Sequence, residues 1–105
     1  MDNEYPASMS PWAINLLRND IGYRGVIVTD DLGMGAITRS YSLPDAAVRS
    51  VRAGADVVLV VRNFQDYDGM YQALTAAVAD NRISERRINQ SVMRILLLKE
   101  RYLKD

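Results

Sequence analysis

The sequence predicts an α/β protein in which short parallel strands alternate with helices. Two runs of aliphatic residues, Val26–Val28 and Val57–Val61, lack the polar alternation of a half-exposed strand, so both are expected to be buried on both faces. Helix-start signals and apolar residues at helical spacing precede, separate and follow these runs. The order helix, strand, helix, strand, helix, helix favours right-handed crossovers and parallel pairing of the strands.

The first half of the chain begins with a helix expected over residues 10–20. Ser10 supplies a capping hydroxyl, and Pro11 fits the first helical turn because its ring fixes a helical φ and its missing N–H has no helical partner. The first strand follows and ends at Thr29-Asp30-Asp31. These signals predict one helix–strand unit with polar residues at the end of the strand.

The second half repeats the pattern and closes with two helices. A helix is expected to begin at Ser42-Leu43-Pro44-Asp45 and to end at Gly54. The second strand ends at Arg62-Asn63, and helices follow from about Tyr67 and about Ser84. The sequence therefore predicts two βα units and a closing helix.

Helix periodicity also predicts where individual side chains lie. Trp12 and Tyr71 fall on apolar stripes and are expected to anchor the core. Arg86 and Arg87, like the other arginines, are expected on solvated helix faces among acidic residues.

A sheet of two strands leaves both of its edges open. Exposed edges of valine and isoleucine promote association with other strands. We therefore expect the chain to be a piece of a larger α/β architecture or to complete its sheet by forming a homo-oligomer.

Composition excludes several classes of function. The 105 residues include 13 basic and 13 acidic side chains, no histidine and no cysteine. A net charge of zero gives no basic surface for nucleic acid. Disulfides, thiol nucleophiles and histidine-based metal or triad chemistry are excluded for this chain.

No segment of the sequence reads as a membrane span or a signal peptide. The apolar runs are far shorter than the roughly 18 residues that a spanning helix needs. Asp2 and Glu4 replace the basic start of a signal peptide. The sequence predicts no membrane partner and slightly favours the cytoplasm, and any targeting signal would lie upstream of Met1.

The ends of the two strands hold the candidate site. Parallel α/β folds bind ligands at the carboxyl ends of their strands, which here are Thr29-Asp30-Asp31 and Arg62-Asn63. A carboxylate there can act as a nucleophile, a general base or a cation ligand. The structural alternative is that Asp30 or Asp31 caps the turn that follows.

Four segments resemble the β-N-acetylhexosaminidase branch of glycoside hydrolase family 3, in the family's own order. Gly22-Tyr23-Arg24-Gly25-Val26-Ile27-Val28-Thr29-Asp30-Asp31-Leu32-Gly33-Met34 is similar to the segment that carries the family's nucleophile. Pro6-Ala7-Ser8-Met9-Ser10 resembles the loop before the preceding helix, and Ala53-Gly54-Ala55-Asp56 the entry to the final barrel strand. Residues 82–96 resemble the closing helices.

The resemblance implies that residues 1–105 are a C-terminal fragment of a (β/α)8 glycoside hydrolase domain, contributing the last two βα units of a TIM-type barrel. It assigns the catalytic nucleophile to Asp30. Asp31 would be a supporting or substrate-binding neighbour, and Met34 would line the sugar pocket or pack in the core. Arg62 and Asn63, at the end of the second strand, would contact the sugar or have a structural role at the barrel mouth. The implied reaction is retaining hydrolysis of terminal β-N-acetylglucosaminides by carboxylate chemistry, without a metal or organic cofactor.

The chain departs from the family pattern in one respect. In this branch a histidine paired with an aspartate supplies the acid/base function on an earlier loop, and this chain has no histidine. We therefore expect the parent protein to be an enzyme that acts on a carbohydrate and this chain alone to be inactive.

Other functions remain open alongside this one. The chief alternative is a non-catalytic module that self-associates or binds a partner, and another is a β-glucosidase-type member of the same family. Whether the parent hydrolyses or phosphorolyses its glycoside is also open. A receiver-type magnesium site and a phosphate site are weaker alternatives, because the only lysines, Lys99 and Lys104, lie in the last helix and no glycine-rich phosphate loop is present.

Overall fold

The structure is a computed structural model that describes residues 7–61 and 67–103. A short 3-10 turn, Ala7–Met9, precedes the first helix. The helices are α1, Pro11–Asn15, which continues as a π-helical turn, Leu16–Asp20; α2, Gly35–Thr38; α3, Leu43–Ala53; α4, Tyr67–Ala79; and α5, Glu85–Leu103.

The predicted helix starts are confirmed by their caps. The Ser10 hydroxyl accepts a hydrogen bond from the backbone N–H of Ala13 at 3.2 Å, and Ser42 accepts one from Asp45 at the same distance. A proline follows each capping serine within the first turn. Gly54 ends α3 with a φ of 124°, which residues with a Cβ rarely adopt. Local sequence thus fixes both ends of α3.

The two predicted strands are not formed among the described residues. Instead, a first bridging segment (residues 26–32) and a second bridging segment (residues 56–61) meet at one parallel bridge, Val28 with Val57. The predicted parallel direction is confirmed. The ladder stays short because side chains replace backbone acceptors: Leu59 donates its N–H to the Thr29 hydroxyl, and Val61 donates to the Asp31 carboxylate.

The core is built around α3. One cluster joins α3 to the first bridging segment, α2 and α4; its buried members are Met9, Leu32, Ile37, Leu43, Ala46, Ala47 and Met70. A second cluster joins the other side of α3 to α4 and the start of α5; its buried members are Val48, Val51, Ala77 and Ile83. Helix α3 therefore holds the bridging segments and α4 together.

Several apolar side chains are more exposed than the sequence predicts. Trp12 is 49% exposed and Tyr71 64%, so neither anchors the core. Val28 and Val61 are 53% and 63% exposed, so the bridging segments are covered on one face only. Leu96 and Leu97 are also exposed, on α5. The expectation of burial is wrong here because no described element packs over this face of the bridging segments or over the apolar stripe of α5.

None of the helices within residues 7–61 and 67–103 combines the length and the hydropathy required to cross a bilayer.

Candidate functional site

The first bridging segment ends in a turn that carries the acidic pair. Thr29 is buried, and its hydroxyl donates to the carbonyl of Asp30 at 2.8 Å while accepting from the N–H of Leu59 at 3.0 Å. Leu32, which is fully buried, donates its N–H to the carbonyl of Leu59 at 2.9 Å. Thr29 and Leu32 therefore fix the backbone on both sides of the acidic pair to the second bridging segment.

Asp31 is held by backbone groups. Its Oδ1 accepts the N–H of Gly33 at 2.9 Å and the N–H of Val61 at 2.9 Å. The first bond closes an Asx-type turn, and the second crosses to the neighbouring segment. Asp31 therefore caps the turn, as the structural alternative predicted from the sequence proposed for one of the two aspartates.

Asp30 presents a different environment. It is exposed, and it lies among the residues that line a shallow cavity of about 210 Å³ between α1 and the first bridging segment. The other lining residues are mostly apolar and include Ile14, Leu17 and Ile27. A carboxylate beside an apolar wall and open to solvent is accessible to a ligand. Its role as the nucleophile stays a prediction.

Of the other predicted site residues, only Met34 can be located. It directly precedes α2, its side chain is exposed, and its N–H donates to the carbonyl of Asp31 at 3.1 Å. The structure thus brings Met34 close to the acidic pair. Arg62 and Asn63 lie outside the described residues. Among the residues described, no group of three potential ligands is placed to hold a metal ion.

A second acidic centre lies at the opposite end of the bridging segments. The side chain of Asp56 is 0% exposed. Its Oδ2 accepts from Arg18 Nη2 at 2.6 Å and from the backbone N–H of Ile27 at 3.0 Å. Its Oδ1 accepts from Ser91 Oγ at 2.6 Å and from Arg94 Nη1 at 2.9 Å. Asp56 thereby connects the π turn, the first bridging segment and α5.

Arg87 extends this network to the end of α3. Its Nε donates to the carbonyl of Val51 at 3.1 Å, its Nη2 to the carbonyl of Ala55 at 2.7 Å, and its Nη1 to Ser91 Oγ at 2.7 Å. Arg87 is half-buried, so the expectation that it lies on a solvated face is wrong; Arg86, its neighbour, is exposed as predicted. Two of the three donors attach α5 to backbone carbonyls at and just beyond the end of α3, and the third holds the Ser91 hydroxyl beside Asp56.

The electrostatics of Asp56 follow from these contacts. Burial by itself raises the pKa of the Asp56 carboxyl, but the hydrogen bonds from Ser91, Ile27 and Arg94 outweigh it and lower the pKa below its usual 3.8. The pKa of Arg87 is lowered, chiefly by burial and further by the positive charges of Arg94 and Arg18. Asp56 is therefore ionised at neutral pH and paired with cations that also repel one another.

The structural role of Asp56 was not predicted from the sequence. The available signal was a single carboxylate at the start of an apolar run, which must find partners if it is buried. Its cationic partners are 38 residues away on one side, at Arg18, and 38 on the other, at Arg94. Spacing along the chain therefore could not have identified them.

Comparisons with known proteins fit this geometry. The family described as "Glycosyl hydrolase family 3 N terminal domain" matches residues 1–98. This chain belongs to glycoside hydrolase family 3. The resemblance stated from the sequence is confirmed, and the fold corresponds to part of the TIM-barrel-type domain of that family.

Family 3 relatives cover nearly all of the chain. Beta-hexosaminidase A of Pseudoalteromonas piscicida is 34% identical in an alignment 101 positions long that covers 90% of this chain and 17% of the relative. Beta-hexosaminidase LpqI of Mycobacterium tuberculosis is 33% identical in an alignment 100 positions long that covers 90% of this chain and 26% of the relative. The chain thus spans between about a sixth and about a quarter of these two proteins.

A solved structure gives the same result. The family 3 β-N-acetylglucosaminidase from Paenibacillus sp. str. FPU-7 is 45% identical, with a TM-score of 0.89 over 94% of this chain and 19% of that enzyme. The chain therefore adopts the conformation of one contiguous part of a family 3 barrel domain.

Proposed function

We propose that this chain supplies the nucleophile of a retaining β-N-acetylhexosaminidase, as the last two βα units of the family 3 barrel. The observation that carries the proposal is the division of roles in the acidic pair. Asp31 accepts two backbone N–H groups at one oxygen, whereas Asp30 is exposed beside a cavity. Asp30 is then the reacting carboxylate and Asp31 the residue that holds the turn in place.

The reaction that follows is a double displacement. A carboxylate oxygen of Asp30 forms a bond to the anomeric carbon as the glycosidic C–O bond breaks, and the departing oxygen takes a proton from an acid elsewhere in the parent protein. Water then attacks the anomeric carbon as its bond to Asp30 breaks, and the group that gave its proton in the first step takes the proton of the water; the carboxylate is regenerated and the configuration is retained. Met34, Arg62 and Asn63 are proposed to contact the sugar.

The isolated chain is proposed to be inactive. No histidine is available to protonate the leaving group, and general acid catalysis typically contributes 10²–10⁴-fold to the rate. The chain at micromolar concentration should release no more aryl alcohol from an aryl β-N-acetylglucosaminide than buffer does. Turnover clearly above buffer that is lost in Asp30→Ala would contradict this proposal.

The nucleophile is best tested in a chimera. Residues 7–103 replace the corresponding segment of the Paenibacillus enzyme, whose barrel they match in conformation. Asp30→Ala in the chimera should lower kcat at least about a thousandfold, and azide should restore turnover by forming a glycosyl azide of inverted configuration. Asp31→Ala is the matched control. It should lower activity by disturbing the turn that Asp31 holds in place, and azide should not restore the activity. Rescue of Asp31→Ala instead would reverse the two assignments.

The full-length parent protein distinguishes the two family activities, because in the chimera the rest of the barrel belongs to the Paenibacillus enzyme. A β-N-acetylhexosaminidase should hydrolyse the aryl β-N-acetylglucosaminide with a kcat/KM well above that for the aryl β-glucoside, because its site hydrogen-bonds the acetamido group. A preference for the glucoside would favour the β-glucosidase type. Added phosphate that yields a sugar 1-phosphate in place of the free sugar would indicate phosphorolysis.

A second function is supported by a specific observation. Val28 and Val61 on the bridging segments, and Leu96 and Leu97 on α5, are exposed. We propose that the isolated chain covers these surfaces by self-association. Light scattering coupled to size exclusion should show a dimer or larger, and Val61→Lys should shift the population towards monomer. A monodisperse monomer of the unmodified chain would contradict this second proposal and leave the first untouched.

A further inference from the structure

A groove rich in arginine lies at the Asp56 end of the molecule. It has a volume of about 560 Å³ and is bounded by α1 with its π turn, the end of α3 and the first half of α5. Arg18, Arg52, Arg87 and Arg94 line it. Among the described residues that line the groove, none is acidic. This composition is unusual in a chain whose net charge is zero.

The positive charge of this groove is only partly neutralised. The Asp56 carboxylate lies behind the wall and binds Arg18 and Arg94 directly, while Arg87 is 3.9 Å away. Three of the four guanidinium groups that line the groove thus share one carboxylate, and no ion pair is formed between Arg52 and Asp56. Burial is the main cause of the lowered pKa of Arg87; the charge of Asp56 raises this pKa, and repulsion by the charges of Arg94 and Arg18 lowers it. A bound anion would relieve this repulsion.

Donors remain available at the groove surface. Arg52 is exposed and makes no hydrogen bond or ion pair with the described residues. Arg94 uses Nη1 for Asp56, which leaves its Nε and Nη2 groups without a partner in the described part of the chain. Gln90 adds an amide side chain to the same wall. Guanidinium groups with N–H donors in a planar fork match the oxygens of phosphates and carboxylates.

We propose that this groove binds a small oxyanion, a phosphate- or carboxylate-bearing ligand, with Arg52 and Arg94 as its principal donors. The site is separate from the proposed sugar site, because Asp56 begins the second bridging segment whereas Asp30 lies near the end of the first, and the two segments are parallel. It is also independent of the glycosidase reaction. The proposal can therefore fail while the proposed function stands, and the reverse also holds.

Thermal unfolding of the chain provides the first test. A ligand that binds only the native state raises Tm with concentration, but phosphate also stabilises proteins generally by exclusion from their surface. The quantity to measure is therefore the rise in Tm in phosphate minus the rise in chloride at equal ionic strength. This difference is compared between Arg52→Gln and the matched control Arg86→Gln. Arg86 lies on α5, is exposed and does not line the groove. The rise should be preserved in Arg86→Gln and reduced in Arg52→Gln.

A binding titration locates the effect. Backbone amide resonances of residues 52–54 and 94 should shift saturably with inorganic phosphate, and Arg52→Gln should weaken the apparent affinity about tenfold through loss of one charge-assisted contact. The same titration with citrate distinguishes a carboxylate ligand from a phosphate ligand by which anion binds more tightly. Equal responses of Arg52→Gln and Arg86→Gln, or no saturable shift with either anion, would overturn the proposal. If the isolated chain does not fold, the two variants are compared in the family 3 chimera by the phosphate-dependent rise in Tm, with the same criteria.

Discussion

The two ends of the bridging segments carry acidic side chains with opposite environments. At one end Asp30 is exposed and Asp31 is held by two backbone N–H groups. At the other end Asp56 is wholly buried and accepts hydrogen bonds from two arginines, a serine and a backbone N–H. In TIM-type barrels the carboxyl ends of the strands form the catalytic face, where we propose that Asp30 reacts, and the opposite face contributes to stability.

This comparison shows how one residue type serves two purposes within a single fold. A buried carboxylate must be paired, so every oxygen of Asp56 is committed to holding elements together. A carboxylate that reacts with a ligand must instead stay accessible, and it needs neighbours that fix its backbone. Thr29 and Asp31 fix the backbone on both sides of Asp30, for which we propose that role.

Asp56→Asn should have the largest effect on stability. The change removes the negative charge that three half-buried arginines share, and breaking a buried pair in this way typically costs about 3–5 kcal/mol of unfolding free energy. Urea unfolding followed by circular dichroism measures the loss. The control is Asp80→Asn, which breaks an exposed pair with Arg82 and should change little. Equal losses of unfolding free energy in both variants would mean that the buried Asp56 contributes no more to stability than the exposed Asp80.

Acid should destabilise the chain by protonating the Asp56 carboxylate. The pKa of Asp56 is lowered in the folded state, so its contribution is fully present above the unfolded value near 3.8 and is lost as pH falls through the folded pKa. Stability measured between pH 6 and about pH 3 should therefore fall with acidification. The fall should be shallower in Asp56→Asn, which has no carboxyl to protonate there. An unchanged pH profile in that variant would contradict the assignment.

Gly54→Ala should destabilise the Asp56 end by about 2 kcal/mol. Gly54 has a φ of 124°, and an added Cβ would lie 2.8 Å from Ile14 Cγ2. Thermal unfolding measures the effect. Gly35→Ala is the matched control, since Gly35 is helical and its nearest neighbour would be the flexible end of Arg39 at 3.4 Å. A similar loss in Gly35→Ala would indicate a general intolerance of alanine rather than strain at Gly54.

The smallest effect should separate the two members of the acidic pair. Asp31→Asn weakens the hydrogen bonds to Gly33 and Val61 and should cost about 1 kcal/mol. Asp30→Asn changes an exposed side chain and should stay within about 0.5 kcal/mol. The difference in urea midpoint between the two variants is the measurement. A larger loss for Asp30→Asn would make Asp30 the structural member of the pair.

Local signals in the sequence predicted the helices well and the burial of their faces poorly. The caps at Ser10 and Ser42 and the stop at Gly54 are formed as expected, because each depends on a few adjacent residues. Trp12 and Tyr71 are exposed although they lie on apolar stripes. Periodicity identifies which face of a helix is apolar, but it does not specify what packs against that face.

The candidate site was predictable to a similar extent. The pattern of an apolar run followed by Thr29-Asp30-Asp31 identified the acidic pair and, through the resemblance, the family. It did not reveal that Thr29 and Asp31 would take the place of backbone acceptors for the second bridging segment. This replacement of backbone acceptors by side chains depends on the register between two segments about 30 residues apart. The register cannot be predicted from spacing along the sequence.

Local residue patterns were enough to predict the helix ends, the parallel direction of the two segments and membership of glycoside hydrolase family 3. Which carboxylate is buried and which is exposed became known from the folded structure. The reason is physical: capping and turn formation are local interactions, whereas the charge of Asp56 is stabilised by Arg18 and Arg94, which only folding brings to the same carboxylate.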